Sequence, residues 1–482
     1  LYTTALKSFT VSVFKIKFSN TESLSLFKMN VLAMKMPMQK EAFKKVVNTR
    51  AALANIVLVT NAFVWYFYAF TILKDILDNI SKTVAIDQAT TLLILGVHFG
   101  GAIFSALIGA IWSKKRGGQI IFLTSWMLLG VVSSFAAFIG NITDIPGLLV
   151  VSFLFGVSFG IGMPTCMGYF SDHTHVENRG RFGGLMMFIN GLGMFLLGIA
   201  AFNTIAAKSL VLTGWRMAGL IIFLLVKPHE ENKEKKEVSY RFVLTQRPFV
   251  LYLIPWILFA LVNYLSLPVL SNILASSLIE FSVNVRNIIS GIFAIVGGFF
   301  ADAIGRKRMA TAAFVLLGIG YTILGIAPDN VSSLYFYTVV DGVAWGVIFV
   351  LFVMTVWGDL SHGAHSDKYY AIAGIPFFIS IFLSSAISSY VSDVSPYAIF
   401  SFTAFFLFLA VLPLMYAPET LPEKTMKDRE LKKYIEKAQK EAAKAQEKEA
   451  ENEQIENGDA EVEFEVNQED YEEALQEAEK YY

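Results

Sequence analysis

Twelve stretches of this chain stay apolar for about 17 to 25 residues, long enough as helices to cross a hydrocarbon layer of ~30 Å. Six fall in the first half, at about 51–73, 89–111, 119–140, 147–170, 182–203 and 209–226. Six follow, at about 248–270, 282–304, 309–327, 333–357, 369–391 and 395–416. Unpaired peptide groups are costly in lipid, so each stretch is expected to be a helix. The sixth fits least well. Trp215-Arg216 leaves only ten apolar residues before Lys227, so either Arg216 lies inside a longer span or that helix is abbreviated.

Charge gives the pattern a direction. Lys and Arg concentrate in alternate loops: Lys44, Lys45 and Arg50; Lys114, Lys115 and Arg116; Arg179 and Arg181; Lys233, Lys235 and Lys236; Arg306, Lys307 and Arg308; and Lys368. Basic short loops are retained on the cytoplasmic side, which predicts a multi-pass plasma-membrane protein with both termini in the cytoplasm. The intervening loops hold fewer cations, Lys74, Lys82 and Lys208, beside acids such as Asp144 and Asp329.

Composition agrees: of 482 residues 55% are hydrophobic and only 16% charged, too apolar for a soluble domain of that length. The net charge of −1 conceals a tail, 417–482, with 21 acidic and 10 basic residues. The expected organisation is an N-terminal segment 1–48 without fixed structure, a bundle 49–226, a loop 227–247, a second bundle 248–416, and a tail 417–482 that is helical and then disordered. Residues 1–30 read as polar and mixed, either native or upstream sequence, and no secretory signal pattern opens the chain. A single cysteine, Cys166, allows neither an intrachain disulfide nor a multi-cysteine metal site.

The halves repeat. Phe155-Gly-Val-Ser-Phe-Gly160 answers Asp341-Gly-Val-Ala-Trp-Gly346 at an offset of 186; Gly109-x-x-x-Ser113 answers Gly298-x-x-x-Asp302 at 189; Asp172 and Arg181-Phe182 answer Asp359 and Lys368-Tyr369 at 187. Two like halves around a central site suit alternating access.

Gly298-Phe-Phe-Ala-Asp302-Ala-Ile-Gly305-Arg306-Lys307-Arg308 resembles the loop signature of the major facilitator superfamily between helices 8 and 9. Asp172-His-Thr-His-Val-Glu-Asn-Arg179-Gly180 resembles the acid and Arg-Gly pair between helices 4 and 5, and Pro418-Glu419-Thr420 the ending of sugar porters and organic-ion transporters. The first-half loop, Gly109-Ala-Ile-Trp-Ser113-Lys-Lys-Arg116-Gly117, departs at the acid and at the turn glycine. Span 5 lacks the proline run of the drug and proton antiporters.

The resemblance implies an all-α membrane protein of twelve transmembrane helices in two pseudo-symmetric six-helix bundles. It further implies a cytoplasmic gate of Gly298, Asp302, Gly305, Arg306, Asp172, Arg179 and Arg181. Asp302 would accept from the N-terminus of a neighbouring helix, where the dipole favours an anion.

Charges inside a bilayer are read as functional by default. Asp341, about 10 Å below the outer end of its span, and Arg286 nominate an outer gate, a proton-coupling site, or a structural acid with a snorkelling arginine. Asn61, Trp65, His98, Asn190, Asn263, Tyr264 and Trp345 nominate a cavity, each also able to serve helix packing. His173, His175 and Glu177 on one loop lack a fourth ligand for zinc. The expected partners are the bilayer, a small organic solute and protons, with no cofactor, metal or nucleic acid and an unknown partner for the tail. No phosphate-binding loop is present, so energy would come from a solute or ion gradient. A membrane receptor or scaffold acting through its acidic tail is the alternative, and no catalytic constellation points to an enzyme.

Overall fold

The structure, a computed structural model, describes residues 49–421 apart from 83–85, 114–117, 141, 201, 203, 229–235, 274–275 and 392–393, with scattered positions beyond. The expectations for 1–48 and for nearly all of the tail therefore lie outside the described residues. Pro422–Tyr482 forms a unit separate from Leu1–Leu421.

Among the described residues, twelve helices are long and apolar enough to span a membrane. They are α1 (Arg50–Ser81), α2 (Gln88–Trp112), α3 (Gln119–Ile139), α4 (Ile145–Asp172), α5 (Val176–Gly198), α6 (Ile205–Val226), α7 (Arg247–Leu270), α8 (Ser282–Ile304), α9 (Arg306–Ile326), α10 (Val331–Leu360), α11 (Asp367–Ser388) and α12 (Pro396–Tyr416). Several begin on side-chain caps that satisfy otherwise orphaned amides. Asp87 accepts from the Thr90 amide at 2.9 Å, Asp144 from Gly147 at 3.0 Å and Thr204 from Ala207 at 3.1 Å. Between α6 and α7 a short helix, Tyr240–Thr245, interrupts what the sequence suggested was plain loop.

Span 6 is not abbreviated: α6 runs through Arg216, which is fully buried. Its guanidinium donates to Asn61 Oδ1 at 2.8 Å and lies 4.4 Å from the Trp126 ring centroid and 5.5 Å from that of Trp65. The ring faces and one amide oxygen compensate a charge that lipid would not tolerate.

The halves meet through two related helix pairs, α2 with α11 and α5 with α8. Lipid offers little hydrophobic drive between helices, so close backbone packing has to hold such pairs. A Cβ on Gly298 would stand 2.2 Å from the Gly180 carbonyl oxygen, and one on Gly184 would stand 2.3 Å from that of Ala294. At the end opposite the basic loops, Gln88 Nε2 donates to the Ala386 carbonyl at 3.2 Å. Outward faces carry exposed apolar side chains such as Phe104, Ile108, Ile139, Leu225, Phe405 and Met415, as a lipid-facing surface requires.

Candidate functional site

At the basic-loop end, Asp302 closes α8 against the start of the helical run of α5. Its Oδ1 accepts from the Gly180 amide at 2.9 Å and its Oδ2 from the Arg181 amide at 2.8 Å. Arg306 Nη2 lies 2.9 Å from Asp302 Oδ1, and Arg306 Nε lies 3.0 Å from Asp359 Oδ2. Arg179 pairs with the other oxygen of Asp359 and donates to the Ser171 carbonyl at 2.7 Å. All four charged groups are buried, and each cation meets an anion, as burial of charge demands.

Two members of this cluster escaped the sequence-based gate. Asp359, rather than its first-half counterpart Asp172, is the carboxylate that Arg179 engages. Asp172 lies at the end of α4 and is partly exposed. Glu419 accepts from the Arg306 and Lys307 amides at 2.8 and 3.1 Å and so caps α9, while Thr420 donates to Asp359 at 3.1 Å. Their signal was the Pro418-Glu419-Thr420 run. Arg181 is half-exposed and reaches Asp302 only at 3.8 Å; its amide carries the contact.

Gly305, at φ +109°, occupies a conformation open to glycine, and a Cβ there would meet Glu419 Oε2 at 2.4 Å. The first-half loop has its own version. Gly118, at φ +96°, precedes α3 as Gly305 precedes α9, 187 positions apart. The turn glycine expected to be missing is therefore present. Five positions separate Ser113 from Gly118 against three from Asp302 to Gly305, and that two-residue lengthening hid it.

The acid is also supplied, from the other side. Ser113 at the end of α2 donates to Asp367 Oδ2 at 3.1 Å, and Asp367 opens α11. A carboxylate at a helix N-terminus is favoured by the dipole. The two latches thus exchange roles: one takes its acid from the end of α8, the other from the start of α11. Three further contacts tie the α6–α7 connection to the same end. Tyr240 donates to the Leu107 carbonyl at 2.6 Å, Lys368 to that of Val238 at 2.7 Å, and Tyr369 to Gln246 Oε1 at 2.9 Å. Burial pushes the Tyr240 hydroxyl above the ordinary phenol range, reinforced by Asp367, so it stays a donor.

The cavity candidates divide by position. Asn61 and Trp65 are spent inside the first half. Asn61 Nδ2 donates to the Trp215 carbonyl at 2.7 Å, and Trp65 Nε1 to Ser134 Oγ at 2.6 Å. Asn263 accepts from Tyr321 at 2.9 Å inside the second half. Asn190 is buried on α5 with no hydrogen-bond partner among the described residues.

Tyr264 and Trp345 meet edge to face at 6.2 Å, with Phe377 of α11 5.6 Å from Tyr264. The neighbouring Phe378 reaches the other half, where His98, Tyr66, Phe99 and Phe159 form an aromatic cage. Among the described residues no His, Cys, Asp and Glu gather as a metal site.

Asp341 and Arg286 do meet, with Arg286 Nη1 3.7 Å from Asp341 Oδ2. Both belong to the second half, so the pair holds α8 to α10 and does not itself bridge the halves. Close by, Tyr337 donates to Tyr321, which donates to Asn263, an inner chain of hydrogen bonds at 3.0 and 2.9 Å. A separate apolar crevice of about 180 Å³ opens among α8, α9 and α10, lined by Phe293, Phe300, Met309, Leu316 and Val347.

Twelve spanning helices among the described residues, two similar halves and carboxylate latches clustered at one end define a membrane protein of the two-bundle carrier class. The description "Major Facilitator Superfamily" matches residues 51–287 and 249–449, and the chain belongs to that superfamily. It is 27% identical over 127 residues to the probable anion transporter 4, chloroplastic, of Oryza sativa subsp. japonica, covering 24% of this chain and 20% of that protein. It is 24% identical over 177 residues to the niacin transporter NiaP of Acinetobacter baylyi, covering 35% of this chain and 38% of that one. The chain thus spans well under half the length of these relatives. The fold is shared with the proton:xylose symporter XylE, at a TM-score of 0.61 and 14% identity, over 77% of this chain and 97% of that one.

Proposed function

We propose that this protein moves a small organic solute across a membrane by alternating access, with no chemical step, the two six-helix halves rocking about the midplane aromatic region. The observation that carries the reading is the interface between the halves. Its two symmetric helix pairs carry polar latches, Asp302 with the α5 amides and Ser113 with Asp367, at the basic-loop end, where the Arg179–Asp359 pair also crosses between the halves. Breaking these few contacts opens that end while the opposite end closes, which is the motion a carrier needs. The relatives support a solute of this kind, one being described as an anion transporter and one as a niacin transporter.

The basic-loop end faces the cytoplasm, with both termini there and the chain in the plasma membrane, on the strength of the Lys and Arg distribution. Coupling is to protons, with Asp341 as the carrier and Arg286 as its partner. The support is a buried carboxylate within a span, one of whose oxygens, Oδ1, has no hydrogen-bond partner among the described residues. Uptake into proteoliposomes against a panel of organic acids, sugars and amines, with and without a pH gradient, tests both parts. Absence of uptake for every solute removes the carrier reading. Equal pH-driven uptake by the Asp341→Asn variant removes the coupling role.

A further inference from the structure

His98 lies near the middle of α2, wholly buried, with Nδ1 3.1 Å from the Ser152 carbonyl oxygen. A carbonyl oxygen can only accept, so Nδ1 carries the hydrogen and Nε2 of the neutral ring is left as a lone-pair acceptor. Nε2 has no partner among the described residues, and neither has the hydroxyl of Tyr66. Two other rings run close to parallel with that of Tyr66. His98 runs nearly parallel to it at 16°, with centroids 5.8 Å apart, and Phe159 stacks on it at 4.0 Å. Each unmade buried hydrogen bond is a cost to the fold. An acceptor and a donor left open in one aromatic cluster is therefore a feature that packing alone would not favour.

The closing wall comes from the opposite half. Phe378 of α11 meets Tyr66 edge-on at 5.9 Å, Phe159 at 6.2 Å and Phe99 at 6.4 Å. Every other wall, Phe70 included, belongs to α1, α2 or α4. When the halves part, the phenyl ring of Phe378 leaves with α11, and a flat space of one ring is vacated against Tyr66, Phe99 and Phe159, the first two of which also pack on His98. None of the six cage side chains carries a formal charge. Lys74, whose ammonium lies 4.8 Å over the Phe70 ring, touches the cage only at that edge.

We infer that Tyr66 and His98 form a recognition pair for a small planar ring bearing an uncharged carboxyl or carboxamide group, which takes the place of Phe378. The inference rests on the carrier reading and names the class of its solute. Such a group is the smallest that offers a donor and an acceptor on one edge. Its O–H or N–H donates to His98 Nε2, and its carbonyl accepts from the Tyr66 hydroxyl. A carboxylate fits less well, because it has no hydrogen for Nε2 and would be buried without a cation in hydrogen-bond contact.

The test is binding of radiolabelled benzamide, benzoic acid and methyl benzoate to the purified full-length protein in detergent. Benzamide is expected to bind equally at mildly acidic and mildly alkaline pH. Benzoic acid is expected to weaken as its proton is lost, and methyl benzoate, which has no donor, to bind roughly tenfold more weakly than benzamide. Tyr66→Phe removes one oxygen and keeps the stack; it should weaken benzamide about fivefold at an unchanged unfolding temperature. His98→Phe should do the same, and where that variant does not fold, Tyr66→Phe carries the test.

Ester and amide of equal affinity, tighter binding of the benzoate anion, an unaffected Tyr66→Phe variant, or no binding at millimolar concentration each overturn the assignment. Labelling of introduced cysteines at the two ends separates this from the carrier reading. A protein whose ends alternate in accessibility but binds none of the probes loses only the recognition pair. One that binds benzamide and never alternates loses only the carrier reading.

Discussion

Ser113 and Asp367 show how much a single side chain can change. The family signature puts an acid where Ser113 stands, yet here the acid is on the facing helix, 3.1 Å away. Restoring the family residue should therefore harm the protein. Ser113→Asp sets two carboxylates against each other, and one must take a proton or withdraw. A cysteine in place of buried Ser366 should then label several-fold faster, and an unchanged rate would show that the latch does not depend on this pair. Asp359 receives Arg179, Arg306 and Thr420 together. Arg179→Ala removes one of these partners and leaves Asp359 with Arg306 and Thr420, so it should lower stability by about 1.5–3 kcal/mol, the worth of a hydrogen bond to a charged group, read as a fall in the thermal unfolding midpoint. Arg216 makes a subtler case. Its planar cation lies against Trp126 while bonding Asn61, a combination that a lysine ammonium cannot reproduce. Arg216→Lys should also unfold at lower temperature, despite keeping its charge.

Helix pairs, rather than single helices, are the working elements. Between α5 and α8 the backbones approach so closely that Gly298 has no room for a side chain. Gly298→Val should hold the pair apart at the basic-loop end and abolish solute flux while leaving α8 helical; cross-linking of cysteines placed across α5 and α8 would detect the separation. Full cross-linking yield in that variant would mean that the approach is not limiting. Helix α11 differs in kind. It carries Asp367 at its start, Pro376 within it, and then Phe377 and Phe378, which turn to the aromatic clusters of the two separate halves. Pro376 removes one backbone donor from the ladder at this level, so α11 is less stiff where the two phenyl rings diverge.

For the whole molecule, the reading of two halves opening alternately requires the loops after α2 and α8 to share one face of the membrane. Accessibility labelling at Lys114 and at the exposed Arg308 should report the same side. Deletion of residues 425–482 should leave flux intact, because every latch and cage residue lies before that point; loss of flux would move the tail from accessory to essential. The superfamily and the fold are settled by the match over 51–287 and 249–449 and by the likeness to XylE. The solute and its coupling are carried by far fewer atoms.

What could be read without coordinates followed from short-range physics. Apolar runs of bilayer length, basic loops in alternation and a repeat at offsets of 186 to 189 are properties of the chain in order, and they yielded twelve helices in two halves. Asp302, Arg179 and Arg306 were legible because their neighbours form a signature. Partnerships across the sequence were not legible. Ser113 with Asp367 lies 254 positions apart, Thr420 with Asp359 lies 61 apart, and Phe378 against Tyr66 joins different halves. Nor could the pattern tell Tyr66, which meets Phe378 of the other half, from Asn61 and Trp65, which are spent inside the first half. Helical periodicity fixes which residues share a face; only the packing of one face on another decides what that face meets.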